Sequence, residues 1–325
     1  MMHATRLHLA LATLAVLALP TAPAAAQDYP AKPVRIIVPF AAGGPADIYA
    51  RQIGQHLTEA LKQSFVIEDR PGGGSIIGTD AVAKSAPDGY TLLMMSNTHT
   101  TNESLIADKP FQLMRDFAPV SPVNYSDLVM VVHPSVPVSD LKGFIALAKS
   151  KPKGLDYASS GPGTPYHMAG ELFKAMSGTD IVHVPYKGSS GARNDILAGH
   201  VPMMFDAITV MAPNVQAGKL KALATTGVKR SAVLPDVPTV AEAGVPGYEA
   251  TIWLGLMAPS GTPKPIVDKL NAEVNKVLGR ADLQQAWARQ GATPLIMNPA
   301  EFDAYLRRDI AKWAEVVRVS GAKAQ

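Results

Sequence analysis

Short apolar runs alternate with amphipathic stretches along almost the whole chain. The first run, Val34 to Val38, is rich in β-branched residues, as in a strand buried within a parallel sheet. In the stretch that follows, apolar residues recur at steps of three and four, which predicts a helix with one apolar face; they are Ala50, Ile53, Leu57 and Leu61. The repeated alternation predicts an α/β fold with mainly parallel sheets and helices on both faces.

The same rhythm continues to the end of the chain. It predicts further strands at 64–68, 90–95, 128–132, 155–158, 181–184, 202–205, 220–225 and 251–258. It predicts helices at 75–84, 139–150, from 164, and at 190–198, then three in the final third, the last at about 300–319. Binding sites in open α/β sheets lie beyond the carboxyl ends of strands, so the loops at those ends are the candidates.

Two of these loops are rich in small residues and each opens a helix. The first runs from Phe40 to Asp47 and the second from Ser159 to Thr164. Free backbone N–H groups and the positive end of a helix dipole point into such a loop, which makes it suited to a carboxylate or a phosphate. Tight βα turns explain the glycines equally well when either loop is considered alone. The candidate ligand-binding residues here are Phe40, Ala42, Gly43, Gly44, Asp47, Ser159, Gly161, Gly163, Thr164 and His167.

The remaining candidates follow other predicted strands. Ser96 and Asn97 lie in a predicted loop of residues 96–100, and Asp206 ends an apolar strand where a carboxylate needs a partner. Tyr186 and Lys187 follow the strand at 181–184. Each has an ordinary structural explanation as well: dipole complementation for an acid in a first turn, as at Asp47, or a solvated turn for the lysine.

Composition narrows the class of protein. Residues 1–26 carry a basic start, an apolar run and an Ala-Ala-Ala end, which predicts a cleaved secretory signal peptide and a mature start at Gln27. The sequence has no cysteine, so disulfides, thiolate metal sites and an N-terminal lipid anchor are excluded. A formal net charge of +3 does not indicate a nucleic-acid or membrane partner.

Several enzyme and cofactor motifs are missing. Gly72-Gly73-Gly74 lacks the third glycine of a dinucleotide loop, and the chain has no phosphate-binding P-loop, no G-x-S-x-G elbow and no H-E-x-x-H pair. No nucleophile, base and orienting acid can be assembled. The sequence therefore predicts neither a cofactor, nor a metal, nor catalytic residues.

The candidate loops also belong to longer motifs. Tyr29 to Asp47 reads YP-x-KP-x-R-x-IVPF-x-x-GG-x-x-D, and RPGGGSIIG, SSGPGTPYHMAGELF, VPYKG and DVPTVAEAG follow from Arg70, Ser159, Val184 and Asp236. Together they resemble the Bug-type, or tripartite tricarboxylate transporter receptor, family of periplasmic solute-binding proteins. The resemblance covers essentially the whole chain after the signal peptide.

The resemblance implies a two-lobed, Venus-flytrap fold with the ligand held between the lobes. One lobe would comprise residues 27–125 and 251–325, and the other 126–250. It also implies a monomeric periplasmic receptor that delivers a small carboxylate (a di- or tricarboxylate, an acidic amino acid or an aromatic acid) to a tripartite tricarboxylate-type permease. Two alternatives stay open on sequence alone: a ligand sensor that docks onto a sensor kinase, and a periplasmic enzyme that acts on a small acid.

Overall fold

The computed structural model describes residues 29–324, so the predicted signal peptide lies outside the described residues. The strands are β1 (Val34–Val38), β2 (Phe65–Asp69), β3 (Thr91–Ser96), β4 (Phe117–Val132), β5 (Asp156–Ser159), β6 (Val182–Pro185), β7 (Met203–Ala207), β8 (Lys221–Thr225), β9 (Thr251–Pro259) and β10 (Ala292–Pro294). The helices are α1 (Pro45–Leu61), α2 (Ile76–Ala83), α3 (Asn97–Leu105), α4 (Leu113–Asp116), α5 (Leu141–Ser150), α6 (Pro165–Ser177), α7 (Ser189–Leu197), α8 (Ile208–Gln216), α9 (Lys264–Leu278), α10 (Ala281–Ala288) and α11 (Pro299–Ser320).

The strands form one continuous path in the order β2-β1-β3-β9-β4-β7-β5-β6, with β8 and β10 also paired to β4. β1 pairs in parallel with β2 and β3, and β5 pairs in parallel with β6 and β7. The middle of the path is antiparallel, because β4 and β9 run against each other and against their other neighbours. The α/β prediction is confirmed, but parallel pairing is limited to the outer strands and the sheet as a whole is mixed.

The long antiparallel strand β4 is the largest difference from the predicted elements. Only its second half, 128–132, was predicted, because Pro119 and Pro122 lie in its first half and proline weakens a strand assignment. Both prolines sit where the β4–β9 register shifts, between Pro119 and Ser121 and between Pro122 and Asn124. At such bulges a missing N–H costs no regular ladder hydrogen bond.

Separate hydrophobic clusters lie at the two ends of this strand pair. Val123 of β4 and Leu254 of β9 belong to a cluster with α1 and α9, whereas Leu128 and Ile252 belong to one with α5 and α6. β4 and β9 therefore carry the chain from one hydrophobic core to the other. The parallel strands on either side of them end in the loops that form the site.

A helix replaces the loop predicted at 96–100. α3 has the sequence NTHTTNESL, which has no apolar periodicity, so its helical character is not visible in the pattern. A capping box holds its start: the Ser96 hydroxyl accepts from the Thr98 N–H, and the Ser96 N–H is donated to Nδ1 of His99. Another difference concerns the strand predicted at 202–205, which continues beyond Asp206 as β7 to Ala207.

No helix between residues 29 and 324 has the length and apolar character needed to cross a membrane.

Gly255 of β9 provides a test of the central packing. A Cβ added there would lie 2.5 Å from Cζ of buried Phe302 and 3.3 Å from the Ser121 carbonyl oxygen, so α11 rests directly on the strand. We expect Gly255→Ala to lower the free energy of unfolding by about 1–3 kcal/mol, the usual cost of overpacking. Urea denaturation would measure the change.

The matched control is Gly191→Ala in α7, where the added Cβ meets only Cδ1 of Tyr186 at 3.4 Å. Because alanine favours a helix by about 1 kcal/mol over glycine, this variant should be at least as stable as the parent. Equal losses in both variants would contradict the tight contact between β9 and α11.

Candidate functional site

A chamber lies where the loops of the two ends of the sheet meet, with about 370 Å³ of empty space including the part that opens to solvent. We call it the inner chamber, and its lining consists of Phe40, Ala41, Gly44, Pro45, Ala46, Ser96, Thr98, Ser160, Pro165, Tyr166, Gly188, Ser189, Ile252 and Leu254. None of these residues carries a charged side chain.

Four helices direct their N-termini at the inner chamber. The lining includes first-turn or N-cap residues of α1, α3, α6 and α7, namely Gly44, Ser96, Pro165 and Gly188 among others. Each helix N-terminus carries roughly half a positive charge, from N–H groups that have no partner within the helix. The sequence predicted two such ends, at α1 and α6. The structure adds α3 and α7, so each lobe contributes two.

The loops before α1 and α6 share one construction. Gly43 and Gly163 both adopt positive φ, of +75° and +72°, and each stands two residues before a proline. The Gly43 N–H is donated to Oδ2 of Asp47 at 2.8 Å, and the Gly163 N–H to Nδ1 of His167 at 3.1 Å. In each case the side chain of the third helical residue, Asp47 or His167, accepts a hydrogen bond from the loop backbone. This structural role explains the acid and the histidine without any contact to a ligand.

Three backbone N–H groups of these loops and helix starts have no acceptor within the described part of the protein. Among the described residues no acceptor receives the N–H groups of Gly44, Ala46 or Tyr166. All three residues line the inner chamber. An acceptor bound in the chamber would satisfy these donors, whereas the Gly43 and Gly163 amides are already used within the protein.

The predicted hydroxyl donors of the second loop are also used within it. Thr164 caps α6, as its hydroxyl accepts from the His167 N–H, and it donates to the Gly161 carbonyl at 2.7 Å. The Ser159 hydroxyl is fully buried, bonded to Gly161 and at 2.6 Å from Nε2 of His183. These groups shape the loop, and the neighbouring Ser160 is the residue of this turn that lines the inner chamber.

A buried histidine, His167, and a partly buried one, His183, lie behind the second loop. The rings of His167 and His183 stack with centroids 4.0 Å apart. Burial lowers the pKa of His167 to about 4 and that of His183 to about 3, so both are neutral at neutral pH. A neutral His167 can accept from the Gly163 N–H, which a doubly protonated ring could not do.

His99 has the same role beneath the loop at the end of β3. Its Nδ1 accepts from the Ser96 N–H, and its Nε2 lies 2.9 Å from Oγ1 of Thr79. Because the Thr79 hydroxyl donates to the Ser75 carbonyl, it accepts from His99, which assigns the proton to Nε2. Burial lowers the pKa of His99 to about 4.

Asp206 and Asn97 do not line the inner chamber. The Asp206 carboxylate is fully buried, paired with Nε of Arg193 at 3.1 Å, and accepts from the Ala207 N–H. Burial raises its pKa and the arginine opposes that shift. Arg193 also donates to the Ser189 hydroxyl, so this pair supports a chamber residue from outside. Asn97 donates to the Thr251 carbonyl of β9.

A second space, which we call the outer chamber, adjoins the first and shares Phe40 and Ser160 with it. It is larger, at about 1,080 Å³ including its opening to solvent. Its lining includes the predicted residues Gly161, Thr164, Tyr186 and Lys187, together with Pro39, Gly72, Gly73, Gly74, Ser75, Ile76, Ile106, Pro162, Pro185 and Ala324. The Tyr186 hydroxyl is donated to Asp195, and partial burial raises the pKa of Tyr186 to about 12.

The predicted residues therefore divide into four groups, and one of these lines the outer chamber: Gly161, Thr164, Tyr186 and Lys187. Phe40, Gly44 and Ser96 line the inner chamber, and Phe40 also reaches the outer one. Ala42 lies at the contact between the lobes, where its carbonyl accepts from the Ser190 hydroxyl at 2.8 Å. The others act as supports: Gly43, Asp47, Asn97, Ser159, Gly163, His167 and Asp206.

The sequence reasoning missed the apolar and aromatic part of the lining. Ile252 and Leu254 are two residues apart on β9 and so face the same side, a signal visible in the strand pattern. Tyr166 follows Pro165 in the first turn of α6, a position already marked by the helix start. Ser189 carried no signal, because only the folded chain brings α7 to the chamber.

Within residues 29–324, no group of three or more histidines and carboxylates is placed to hold a metal ion.

Comparisons with known proteins agree on one family. The family model described as the tripartite tricarboxylate transporter family receptor matches residues 49–321. Protein BugT of Bordetella pertussis is 39% identical over 304 residues, which cover 93% of both chains. The solved structure of R. palustris Rpa4515 with adipate has a TM-score of 0.88 and 36% identity, covering 91% of this chain and 99% of its own. That of MatC from Rhodopseudomonas palustris with bound malate has a TM-score of 0.84 and 32% identity, covering 89% and 100%.

The pH dependence of stability tests the buried state of His99. An unfolded histidine binds a proton near pH 6.5, whereas folded His99 does so only near its pKa of about 4. Between these values the unfolded chain holds more protons, so the free energy of unfolding falls as the pH falls, by up to about 1.4 kcal/mol per pH unit for each such histidine. His99→Gln keeps a capping-box side chain but cannot titrate, and it should reduce the slope by up to that amount.

Urea denaturation between about pH 4.5 and pH 8 would give the slope. An unchanged slope in His99→Gln would mean that His99 takes up its proton equally well in the folded protein.

Proposed function

The chain belongs to the tripartite tricarboxylate transporter receptor family, and on that premise we propose that it is a periplasmic receptor that captures a small carboxylate between two lobes and delivers it to a transporter. One observation carries this proposal: four helix N-termini converge on a chamber that has no charged side chain in its lining. Such a chamber favours an anion, which the helix ends and their free N–H groups would stabilise.

The chamber donors suggest how a carboxylate would be held. The Gly44 and Ala46 amides approach from one lobe and the Tyr166 amide from the other, so a ligand between them would contact both. The hydroxyls of Ser160 and Ser189 lie in the same lining. Adipate in Rpa4515 and malate in MatC are small carboxylates bound by members of this structural group, which supports the same ligand class here.

The arrangement of the loops supports a closed state. The Ser190 hydroxyl bonds to the Ala42 carbonyl across the cleft, and a Cβ added at Gly188 would overlap the Cβ of Ala41. These two contacts join the loops beside the inner chamber, which adjoins the outer chamber and its opening to solvent. The proposal therefore includes opening by a hinge at β4 and β9, with the lobes divided as predicted into 27–125 with 251–325 and 126–250.

The proposal includes no covalent chemistry. Tyr166 is the one titratable side chain in the inner chamber, and burial raises its pKa well above the ordinary value. A phenol held in its neutral form is a poor base or nucleophile at neutral pH. No observation in the described part of the chain favours an enzyme or a sensor over a transport receptor, and the family description supports a tripartite permease as the partner. The proposal also takes the protein to be monomeric and periplasmic.

A carboxylate panel tests the proposal. Purified protein, unfolded and refolded to remove any retained ligand, would be screened by thermal shift against mono-, di- and tricarboxylates, acidic amino acids and aromatic acids. A ligand that binds the folded state alone adds about 2.7 kcal/mol at a hundredfold excess over Kd. A rise in melting temperature with one class would identify the substrate, and no rise with any member of the panel would refute carboxylate capture.

Gly44→Val links that binding to the inner chamber. Gly44 has φ −84° and ψ 168°, which valine adopts easily, whereas Gly43 has φ +75° and would be strained by any side chain. Valine at this position would project into the chamber, so affinity should fall at least tenfold with little change in stability. Gly44→Ala is the matched control, because its Cβ makes only ordinary 3.4 Å contacts. Unchanged affinity in Gly44→Val would remove the inner chamber from the site.

A further inference from the structure

The outer chamber, unlike the inner one, is lined by a charged side chain. Lys187 is the one charged residue in its lining, and no carboxylate side chain lines it. Among the described residues no carboxylate oxygen lies within 4 Å of Nζ of Lys187. A lysine without a protein partner, facing a space that adjoins an anion-binding chamber, is available to a second negative group of the same ligand.

The glycine-rich turn opposite Lys187 has an unusual backbone. Gly73, Gly74 and Ser75 are consecutive residues with φ of +60°, +62° and +78°. The last is not a glycine, and a left-handed conformation costs such a residue roughly 1–2 kcal/mol. Ser75 is also only 3% exposed, and its hydroxyl has no hydrogen-bond partner among the described residues.

Two buried side chains hold this turn in place. Nδ2 of Asn102 donates to the Gly74 carbonyl at 2.9 Å, and the Thr79 hydroxyl donates to the Ser75 carbonyl at 2.8 Å. In a trans peptide the C=O and N–H point in opposite directions, so the Ser75 N–H is directed away from Asn102 and α3. No acceptor among the described residues receives that N–H.

A chain of buried hydrogen bonds connects the turn to the inner chamber. Ser96, which lines the inner chamber, donates its N–H to His99, and His99 donates to Thr79, which in turn donates to the Ser75 carbonyl. All four residues are at most 3% exposed. The lining of one chamber and the donor turn of the other are therefore held in fixed relation.

We propose that the outer chamber is a second anion subsite, in which the Ser75 hydroxyl and N–H and the Lys187 ammonium bind the far carboxylate of an extended dicarboxylate. The near carboxylate occupies the inner chamber, and the apolar middle of the ligand passes Phe40, which lines both spaces. This inference rests on the proposed function, since it requires that the inner chamber binds a carboxylate.

The first test compares matched ligands by titration calorimetry. Dicarboxylates from succinate to suberate would be measured beside the monocarboxylates of equal chain length. At the optimum length the dicarboxylate should bind at least about tenfold more tightly, because hydrogen bonds to charged groups are strong. Lys187→Met should remove most of that advantage and leave monocarboxylate affinity unchanged. Lys219→Met, which removes an exposed lysine outside both linings, should change neither.

Ser75→Gly separates the subsite from a structural role. Glycine accepts positive φ without strain, and the change removes a buried hydroxyl that has no partner, so the melting temperature should rise. Dicarboxylate affinity should nevertheless fall several-fold, with no change for monocarboxylates. A turn with a purely structural role would give higher stability and unaltered dicarboxylate binding.

The outcomes distinguish this inference from the function on which it rests. Equal affinity for mono- and dicarboxylates at every length, or a dicarboxylate advantage that survives both Lys187→Met and Ser75→Gly, would overturn the subsite and leave the receptor intact. If no carboxylate of either kind binds, the proposed function itself fails.

Discussion

The binding chamber depends on the partial positive charges of four helix N-termini that the fold brings together. Four helices point their N-termini at one small chamber, so the partial positive charges of these helix ends repel one another. No acidic side chain lies in the lining to relieve this. Under the proposed function, an anion in the chamber would offset this repulsion, so binding would favour closure without any charged residue in the lining.

Two strands make this convergence possible. β4 and β9 lie in the middle of the sheet and link its two halves. The parallel strands on either side of them end in the loops that form the site. The prolines of β4 lie at register shifts, where the strand can bend without losing regular pairing. The hinge proposed at β4 and β9 would use these register shifts, while the loops are held by Asp47, His99 and His167.

The local parts of this architecture could be predicted from the sequence, and the non-local parts could not. The strand at Val34, the glycine loop and the helix begun by Pro45 follow from short-range rules. Helix α3 could not be predicted from the apolar pattern, because its start is stabilised by the Ser96–His99 capping box and it has no apolar face. Nor could the site be divided into lining and support, because the partners of Asp206 and Ser189 meet only in the folded chain.

Recognition by the main chain has a consequence for how this protein can change. Every residue type except proline supplies a peptide N–H, so the donors at Gly44, Ala46 and Tyr166 survive almost any substitution that preserves the turn. The side chains around them, such as Ile252 and Leu254, are free to vary in size. Under the proposed function, single substitutions in the walls of the chamber would change the ligand while the main-chain donors still bind an acid group, which favours divergence after gene duplication.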